Sequence, residues 1–582
     1  MDFIFSYMKK HLGQVILVML IKTAATFTEL LLPYVLEYMI DDIAPLKNPK
    51  LIIIWGLVML ALALAVRFVS VNANRGAVKI AKKCIYSIRQ DLFSKTINLS
   101  GDQSDEIGLP SLISRMTSDS YNLQSFIQTF QTLGIRAPIL LLGGIIIAFT
   151  MDTGLALILC VLAPILLIVV YVISRKGIPL YERVQTRLDS VVRIMRENIT
   201  GIRVIKALSK EDFEKRRFKQ ANEEMAKDDI KASVIMSLPG PVMGLAMNIG
   251  LSLVVLIGSY RVNKGVTKPG VILAFLTYFQ MILMGVMGLN RVFLLMSKAN
   301  ASANRINSVM QQSEGLKIES ETKDAPSDDY IIFDKVNFSY GQALSNDASH
   351  FAGGQREKTL QDISFAMKKG SSLGIIGPTG SGKTTIINLL MRFYDPENGH
   401  IYVDGKDIKS IELDSLRRHF GVVFQNDTIF ADTISNNIVF GRDVDQAGLE
   451  EAGKDAMAYD FITDYEDGFS HEAAIHGANF SGGQKQRLLI ARALAANPEI
   501  LILDDSSSAL DYRTDSLLRK NIREHHSDAT TIIVAQRISS IMSCNQIIML
   551  DEGHILGIGT HEQLLASLPQ YKDIYETQMG EV

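Results

Sequence analysis

The sequence predicts two successive parts, an α-helical membrane domain with six transmembrane helices and an α/β domain built around a phosphate-binding loop. Six long apolar stretches lie in the first half of the 582-residue chain, and no comparable stretch follows residue 310. In the second half, a glycine-rich loop stands between a predicted strand and a predicted helix. We therefore assign residues 1–310 to the membrane domain, 311–329 to a polar linker and 330–582 to the α/β domain.

Each apolar stretch is long enough for the ~20-residue helix that crosses a bilayer. A single stretch of this kind is compatible with a buried core helix, but six in series indicate a membrane protein. The stretches cover residues 12–40, 51–73, 126–149, 155–173, 234–260 and 271–297. No small-residue cleavage site follows the first stretch, so we expect it to be retained as a span.

Lysine and arginine are concentrated in two of the connecting segments. Residues 74–125 and 174–233 are rich in both, whereas the loops on the other side carry fewer, with 261–268 as the exception. Basic loops tend to stay in the cytoplasm. The pattern predicts a plasma-membrane protein whose termini and α/β domain are cytoplasmic. Both basic segments also have helical periodicity, which predicts long cytoplasmic extensions of the membrane helices.

The overall charge and the cysteine content exclude two classes of protein. A net charge of −3 gives no basic footprint for binding nucleic acid. Three cysteines at predicted membrane or cytoplasmic positions do not indicate structural disulfides. The remaining evidence is in the motifs of the second half.

A phosphate-binding loop is the clearest chemical motif. Residues 377–384 match G-x-x-x-x-G-K-[ST], with an apolar strand pattern before them and a helical pattern after them. Glycines allow backbone N–H groups to surround phosphates, Lys383 reaches the β and γ phosphates, and the Thr384 hydroxyl holds Mg²⁺. The expected ligands are ATP and Mg²⁺. The predicted binding residues are Gly377, Pro378, Thr379, Gly380, Ser381, Gly382, Lys383, Thr384 and Thr385.

A second apolar run, residues 498–505, ends in two aspartates. Its composition is typical of a buried parallel strand. The end of that strand would place Asp504 beside the phosphate loop as another Mg²⁺ ligand.

Residues 480–487, Phe-Ser-Gly-Gly-Gln-Lys-Gln-Arg, resemble the signature motif of the ABC transporter family. The order of the other motifs agrees with that family, since the phosphate loop is followed by Gln425, the signature, the Asp504 strand and Asp511. The six spans with their long extensions resemble the membrane half of an ABC exporter half-transporter. The resemblance covers nearly the whole chain, and it implies the ABC exporter fold joined to an α/β P-loop ATPase domain.

The resemblance also implies roles for particular residues. Tyr340 resembles the aromatic residue that stacks on adenine, and Gln425 the residue that contacts Mg²⁺ and reports nucleotide state to the membrane helices. Asp511 resembles the aspartate that communicates across the dimer. Residues 99–108 and 201–210 resemble the two coupling-helix regions. The signature residues, which would bind the γ-phosphate of ATP held by the opposite subunit, are Ser481, Gly482, Gly483 and Gln484.

Three positions depart from the family pattern. Asp505 stands where the catalytic base is normally Glu, Gln536 where the switch residue is normally His, and Ile475 where a Glu usually precedes the signature. Aspartate is one methylene shorter than Glu, and a misplacement of ~1 Å can slow a reaction about a hundredfold. A separate departure is an insertion of unknown purpose over 341–358, interpreted as a surface loop.

Two interpretations of these departures remain open. One is a working homodimeric exporter in which Asp505 serves as a slower base. The other is a degenerate-site subunit of a heterodimeric exporter, whose intact signature completes the hydrolytic site of a partner half-transporter. We favour the second. A non-hydrolysing ATP-gated channel or sensor is an alternative from a different functional class.

The predicted spans carry few indications of cargo. Spans five and six contain several methionines and aromatic residues, which suit varied hydrophobic small molecules but also suit ordinary helix packing. Glu29 and Glu37 lie in the first span, and an intramembrane carboxylate would suit a cationic substrate. By resemblance, the expected cargo is a drug-like or lipid molecule.

Overall fold

A computed structural model of the protein describes residues 1–313, 315–319, 325–340, 359–507 and 509–580. The predicted surface loop over 341–358 and parts of the predicted linker, at 314 and 320–324, lie outside these ranges. The described chain forms two compact units. The first contains Met1–Thr96 and Leu112–Gln311, and the second combines Ile97–Ser111 with the described residues from Gln312 onward.

The first unit is helical, because its long apolar runs contain few residues that end a helix. Within the described residues, six segments are long and apolar enough to cross a membrane: Leu12–Leu46, Pro49–Ile97, Leu109–Met151, Thr153–Thr200, Glu211–Asn263 and Pro269–Met310. Its helices are α1 (Asp2–Lys9), α2 (Leu12–Tyr38), α3 (Pro49–Ile97), α6 (Ser120–Met151), α7 (Thr153–Thr200), α8 (Ile202–Ala207), α9 (Glu211–Ser237), α10 (Pro239–Asn263) and α11 (Pro269–Met310). Helix α4 (Gly101–Ile107) belongs to the second unit, and the boundary between the units falls within α5 (Leu109–Ser114).

The second unit contains two sheets. A four-stranded antiparallel sheet has the order β2-β1-β4-β5, and a six-stranded sheet has the order β10-β9-β3-β8-β7-β6, parallel except for β10. The strands are β1 (Ile331–Phe338), β2 (Leu360–Met367), β3 (Ser372–Ile376), β4 (Asn398–Val403), β5 (Lys406–Asp407), β6 (Phe420–Val423), β7 (Ile500–Asp504), β8 (Thr530–Val534), β9 (Gln546–Asp551) and β10 (His554–Gly559). The helices are α12 (Lys383–Leu390), α13 (Leu413–Arg418), α14 (Ile434–Val439), α15 (Gln446–Asp455), α16 (Tyr459–Thr463), α17 (Gly482–Leu494), α18 (Tyr512–His525), α19 (His561–Ser567) and α20 (Pro569–Met579).

The register of the larger sheet determines where the predicted motifs meet. Ile375 of β3 and Asp504 of β7 are both paired with Val534 of β8. The strands run in parallel, so their carboxyl ends lie at one edge, which is the usual position of ligand sites in such sheets. The phosphate loop, Asp505 and Gln536 all follow these strand ends.

The two predicted coupling regions fall in different units. Helix α4, in the first region, begins with a capping box in which Ser100 and Gln103 bond each other's backbone. It packs within the second unit, where the Gly101 N–H donates to the Phe393 carbonyl at 3.1 Å and the Tyr394 hydroxyl donates to Asp105 at 2.7 Å. The second region, in the first unit, contains α8 and its C-cap Leu208. The apolar side chains Ile202, Val204 and Leu208 of this region are exposed.

Candidate nucleotide-binding site

An open cavity of about 300 Å³ lies at the carboxyl edge of the larger sheet. It brings together residues from five predicted motifs or positions that are far apart in the sequence: Tyr340, the phosphate loop, Gln425, the Asp504–Asp505 pair and Gln536. Its lining is Tyr340, Thr359, Thr379, Gly380, Gly382, Lys383, Thr384, Thr385, Gln425, Asp504, Asp505, Val534, Ala535 and Gln536.

The phosphate loop has the conformation that its glycines permit. Gly380 and Gly382 have φ of +87° and +98°, in the region that favours glycine. A Cβ at Gly377 would lie 2.1 Å from the Leu550 carbonyl oxygen, so no larger residue fits there. The Ser381 hydroxyl oxygen is buried and has no hydrogen-bond partner in the described part of the chain. An unsatisfied buried hydroxyl in a glycine cradle fits a phosphate-binding site.

Lys383 extends into the cavity at the start of α12. Its ammonium group donates to the carbonyls of Gly377 at 2.8 Å and Pro378 at 2.7 Å. Burial lowers the pKa of Lys383, and the carboxylates of Asp504 and Asp505 oppose that shift. An anionic phosphate in the cavity would be a stronger hydrogen-bond acceptor for this ammonium group than the two neutral carbonyls.

Oxygen donors suited to a divalent cation lie together on one wall. The Thr384 hydroxyl donates to Asp504 at 2.9 Å, and Gln425 lines the same cavity. Burial raises the pKa of the Asp504 carboxyl, while the bond from Thr384 acts in the opposite direction. Hydroxyl, carboxylate and amide oxygens are ligands that Mg²⁺ accepts, so this wall fits the predicted ion.

Two of the three departing residues contact each other. The Gln536 amide nitrogen donates to Asp505 Oδ2 at 3.0 Å, and the Gln425 amide nitrogen is 3.5 Å from the same oxygen. Asp505 has a backbone φ of +49°, a left-handed conformation that aspartate tolerates better than most residues. Burial raises the pKa of Asp505, and Lys383 opposes the shift. The carboxylate at the base position is therefore held between two amides.

Tyr340 lines the cavity through contacts that the sequence interpretation missed. Its hydroxyl donates to the Thr385 hydroxyl at 3.2 Å and accepts from the Asn388 amide at 3.2 Å. Asn388 follows Thr385 by three residues on α12, so helical spacing could have indicated that both lie on one face. Thr359, which also lines the cavity, had no sequence signal.

The signature residues and Asp511 are elsewhere in the second unit and are absent from the described lining of the cavity. Ser481 caps α17 in a capping box with Gln484, and Gly482 and Gly483 form the first turn of that helix. Asp511 caps α18, where its carboxylate accepts from the Thr514 backbone and hydroxyl. These bonds lower the pKa of Asp511. The chain thus presents two separate groups of candidate nucleotide contacts.

Comparisons with known proteins place both units in one family. The family model described as the ABC transporter transmembrane region matches residues 15–287, and the model described as ABC transporter matches residues 360–508. The uncharacterized ABC transporter ATP-binding protein YfiB of Bacillus subtilis (strain 168) is 34% identical over 555 residues, covering 95% of this chain and 94% of that protein. The protein named YfiC from the same strain is 30% identical, covering 99% and 93%. Rv1273c of Mycobacterium tuberculosis is 33% identical, covering 97% and 96%.

The fold comparison agrees. A solved structure described as a bacterial Atm1-family ABC exporter with ATP bound superposes with a TM-score of 0.79, covering 98% of this chain and 99% of that one at 24% identity. The predicted fold class, a six-helix membrane domain of the exporter type joined to an α/β ATPase domain, is confirmed. The chain is a membrane protein with an ATP-binding domain, and it belongs to the ABC transporter family.

Proposed function

We propose that this chain is one subunit of a heterodimeric, ATP-driven exporter and that its own phosphate-loop side is impaired in hydrolysis. The observation that carries the proposal is the contact at the base position, where Gln536 and Gln425 both approach Asp505 Oδ2. The partner would be a second ABC half-transporter with Glu and His at the corresponding positions.

ATP binding at this side requires none of the departing residues. Lys383 and the backbone of the phosphate loop would hold the phosphates, and Tyr340 would stack on the adenine. Thr384, Asp504 and Gln425 would hold Mg²⁺, which neutralises charge on the phosphates when bound. The side is therefore proposed to keep nucleotide bound even where hydrolysis is slow.

Hydrolysis is where the side is expected to fail. A general base must lie within hydrogen-bond reach of the attacking water. The Asp505 side chain is one methylene shorter than Glu, and its Oδ2 accepts from Gln536. Gln536 has no imidazole and cannot exchange a proton near neutral pH. The Asp505 carboxylate would thus lie further from the attacking water than a Glu carboxylate, and it is already hydrogen-bonded to Gln536.

The signature side is proposed to serve the partner. The hydrogen bonds between Ser481 and Gln484 fix the first turn of α17, which directs backbone N–H groups and a positive helix end outward. These residues would contact the γ-phosphate of ATP bound by the partner, and Asp511 would communicate across the dimer. Ile475, the third departure, has an exposed side chain close before this motif.

The membrane domain would carry hydrophobic or amphipathic molecules, such as drugs or lipids, out of the cytoplasm or inner leaflet. We place the protein in the plasma membrane with both termini and the second unit in the cytoplasm, because the basic segments 74–125 and 174–233 belong on the inner side. Two bound ATP molecules would close the paired ATPase domains, and hydrolysis at the partner's site would reset them.

The ATPase activity of the purified full-length chain tests the proposal. We expect the chain alone to bind ATP and hydrolyse it slowly. Co-expression with a half-transporter that carries Glu and His should give a 1:1 complex with high activity, and Ser481→Ala in this chain should abolish most of it. Brisk activity of the chain alone that Asp505→Ala removes would contradict the heterodimer and favour a homodimer.

A further inference from the structure

One face of α2 changes character along its length. Lys22, Thr26, Glu29, Pro33 and Leu36 recur every three or four residues, so they form one stripe along the helix. The first three are polar and the last two are apolar. The polar part begins about 15 Å from the start of α2 and therefore lies within the apolar span.

The side of α3 that faces α2 also has an apolar half and a polar half. Along the sequence, α3 changes from apolar to polar, whereas α2 changes from polar to apolar. Gly56, Leu60 and Ala63 are apolar or small, whereas Ser70 and Asn74, further along the same stripe, are polar. The Lys22 ammonium group donates to Ser70 at 2.7 Å and to Asn74 at 3.2 Å. Because consecutive spans run antiparallel, the polar half of one stripe lies against the polar half of the other.

The polar halves of the two stripes, together with Arg136 of α6, carry an excess of positive charge. Glu29 accepts two bonds from the Arg136 guanidinium of α6, at 2.7 and 3.1 Å, and is neutralised by it. Lys22 is 4% exposed, and the partners of its ammonium group are neutral. Arg67, on the polar stripe of α3, is exposed and has no ion pair within the described residues. The pairing with Arg136 removes Glu29 as support for a cationic substrate and leaves Glu37 as the other carboxylate on which that prediction rested.

The apolar half opens into a groove of about 500 Å³ between α2, α3 and α11. Pro33 and Leu36 form one wall, Gly56 and Ala63 the second, and Met281 contributes to the third. A Cβ added at Gly56 would meet no atom within 4 Å, so the groove is open at that point. An apolar groove thus continues directly from a cationic region along the same two helices.

We propose that this seam between α2 and α3 binds an anionic amphiphile with a single alkyl chain. The anionic head would lie at Arg67 and Arg136 with Lys22 behind them, and the tail would lie in the groove. Uncompensated charge within a membrane span is costly, and an anionic head would provide the missing counter-charge. The inference deepens the proposed transport function and rests on it for the role of the amphiphile as cargo.

Equilibrium binding to the full-length chain in nanodiscs of zwitterionic phosphatidylcholine tests the seam, with empty discs subtracted. The probes are dodecyl phosphate, dodecyltrimethylammonium and inorganic phosphate. We expect saturable binding of dodecyl phosphate only. Lys22→Met, which removes a buried positive charge behind the head, and Arg67→Gln, which removes a charged hydrogen-bond donor to it, should each weaken binding about tenfold. Glu29→Gln should strengthen binding. Gly56→Leu should weaken it by filling the groove.

Lys264→Met, which removes an ammonium group beside Tyr260 on α10, is the matched control and should change nothing. Equal affinity for the cationic probe, or unchanged binding in both Lys22→Met and Arg67→Gln, would overturn the seam. ATP binding and ATPase activity are measured on the same discs. Loss of probe selectivity with normal ATP binding contradicts the seam alone, whereas brisk Asp505-dependent hydrolysis contradicts the heterodimer alone.

Discussion

The phosphate-loop side and the signature side of the second unit differ in how they depart from the family pattern. On the phosphate-loop side, the base and switch positions hold Asp505 and Gln536, and these two residues are hydrogen-bonded to each other. On the signature side, Ser481 and Gln484 match the pattern and form a complete capping box. Ile475 departs just before the signature, but the signature residues themselves match the pattern, whereas undirected loss of function would reach them as well. Two substitutions in mutual contact on one side favour a division of labour between subunits.

The comparison also separates binding from hydrolysis. Lys383, Thr384 and Asp504 keep the residue types predicted for a phosphate and Mg²⁺ site, and the Thr384 hydroxyl donates to Asp504. The changes begin one residue later, at Asp505. The phosphate-loop side is therefore expected to bind ATP as well as an intact site does, and to differ only in the residues proposed to position the attacking water.

The largest expected effect is on binding at the phosphate-loop side. Lys383→Ala removes an ammonium group that would make two or more charge-assisted bonds to phosphate, so ATP affinity should fall about a thousandfold. Titration of the full-length chain with a fluorescent ATP analogue measures this. Lys406→Ala, at an exposed strand end of the same unit, is the control. Unchanged affinity in Lys383→Ala would mean that the cavity is not the nucleotide site.

Restoring the missing side chains should have the next largest effect. Asp505→Glu combined with Gln536→His should raise the ATPase rate of the purified chain by about tenfold to a hundredfold, because a base moved ~1 Å toward the water regains its position. Each single substitution should give less than half of the logarithmic gain, since the two side chains contact each other. No gain in the double variant would place the impairment elsewhere, for instance at Ile475.

Local motifs could be predicted from the sequence, and long-range pairings could not. The phosphate loop was identified because a strand, a loop and a helix within a short segment specify it. In contrast, Asp105 contacts Tyr394 across 289 residues, and Glu29 pairs with Arg136 across 107 residues. No periodicity in the sequence connects such positions. For this reason the inclusion of α4 in the second unit and the charge balance of the membrane seam became evident only from the structure.

The Asp505–Gln536 contact could be predicted only in part from the sequence. The sequence indicated that both positions depart from the family pattern, and it placed Asp505, but not Gln536, at the end of a predicted parallel strand. The hydrogen bond itself joins Gln536, beyond the end of β8, to a residue whose backbone is left-handed, Asp505. A conformation of one residue is not encoded in hydropathy or spacing.

A smaller effect separates the structural and functional roles of Ser481. Ser481→Ala and Thr560→Ala each remove the cap of a complete capping box, at α17 and α19, so each should lower the free energy of unfolding by about 1 kcal/mol. Chemical denaturation measures that loss. Only Ser481→Ala should also reduce ATPase activity in the assembled transporter. Equal activity in the two variants would show that the signature does not contribute to the partner's site.

The smallest expected effect concerns stability far from both sides. Bonds from Lys369, Tyr330 and His419 lower the pKa of Glu499 from 4.5 to about 2. A carboxyl with a depressed folded-state pKa stabilises the fold above its unfolded pKa, and that stabilisation is lost as the pH falls from about 4.5 toward 2. Glu499→Gln should therefore flatten the acid limb of the unfolding curve, measured by denaturation between pH 5 and pH 2.5, and leave ATP affinity at neutral pH unchanged. A parallel loss of ATP affinity would connect this surface cluster to the phosphate-loop side, which would weaken the separation between that side and the rest of the unit.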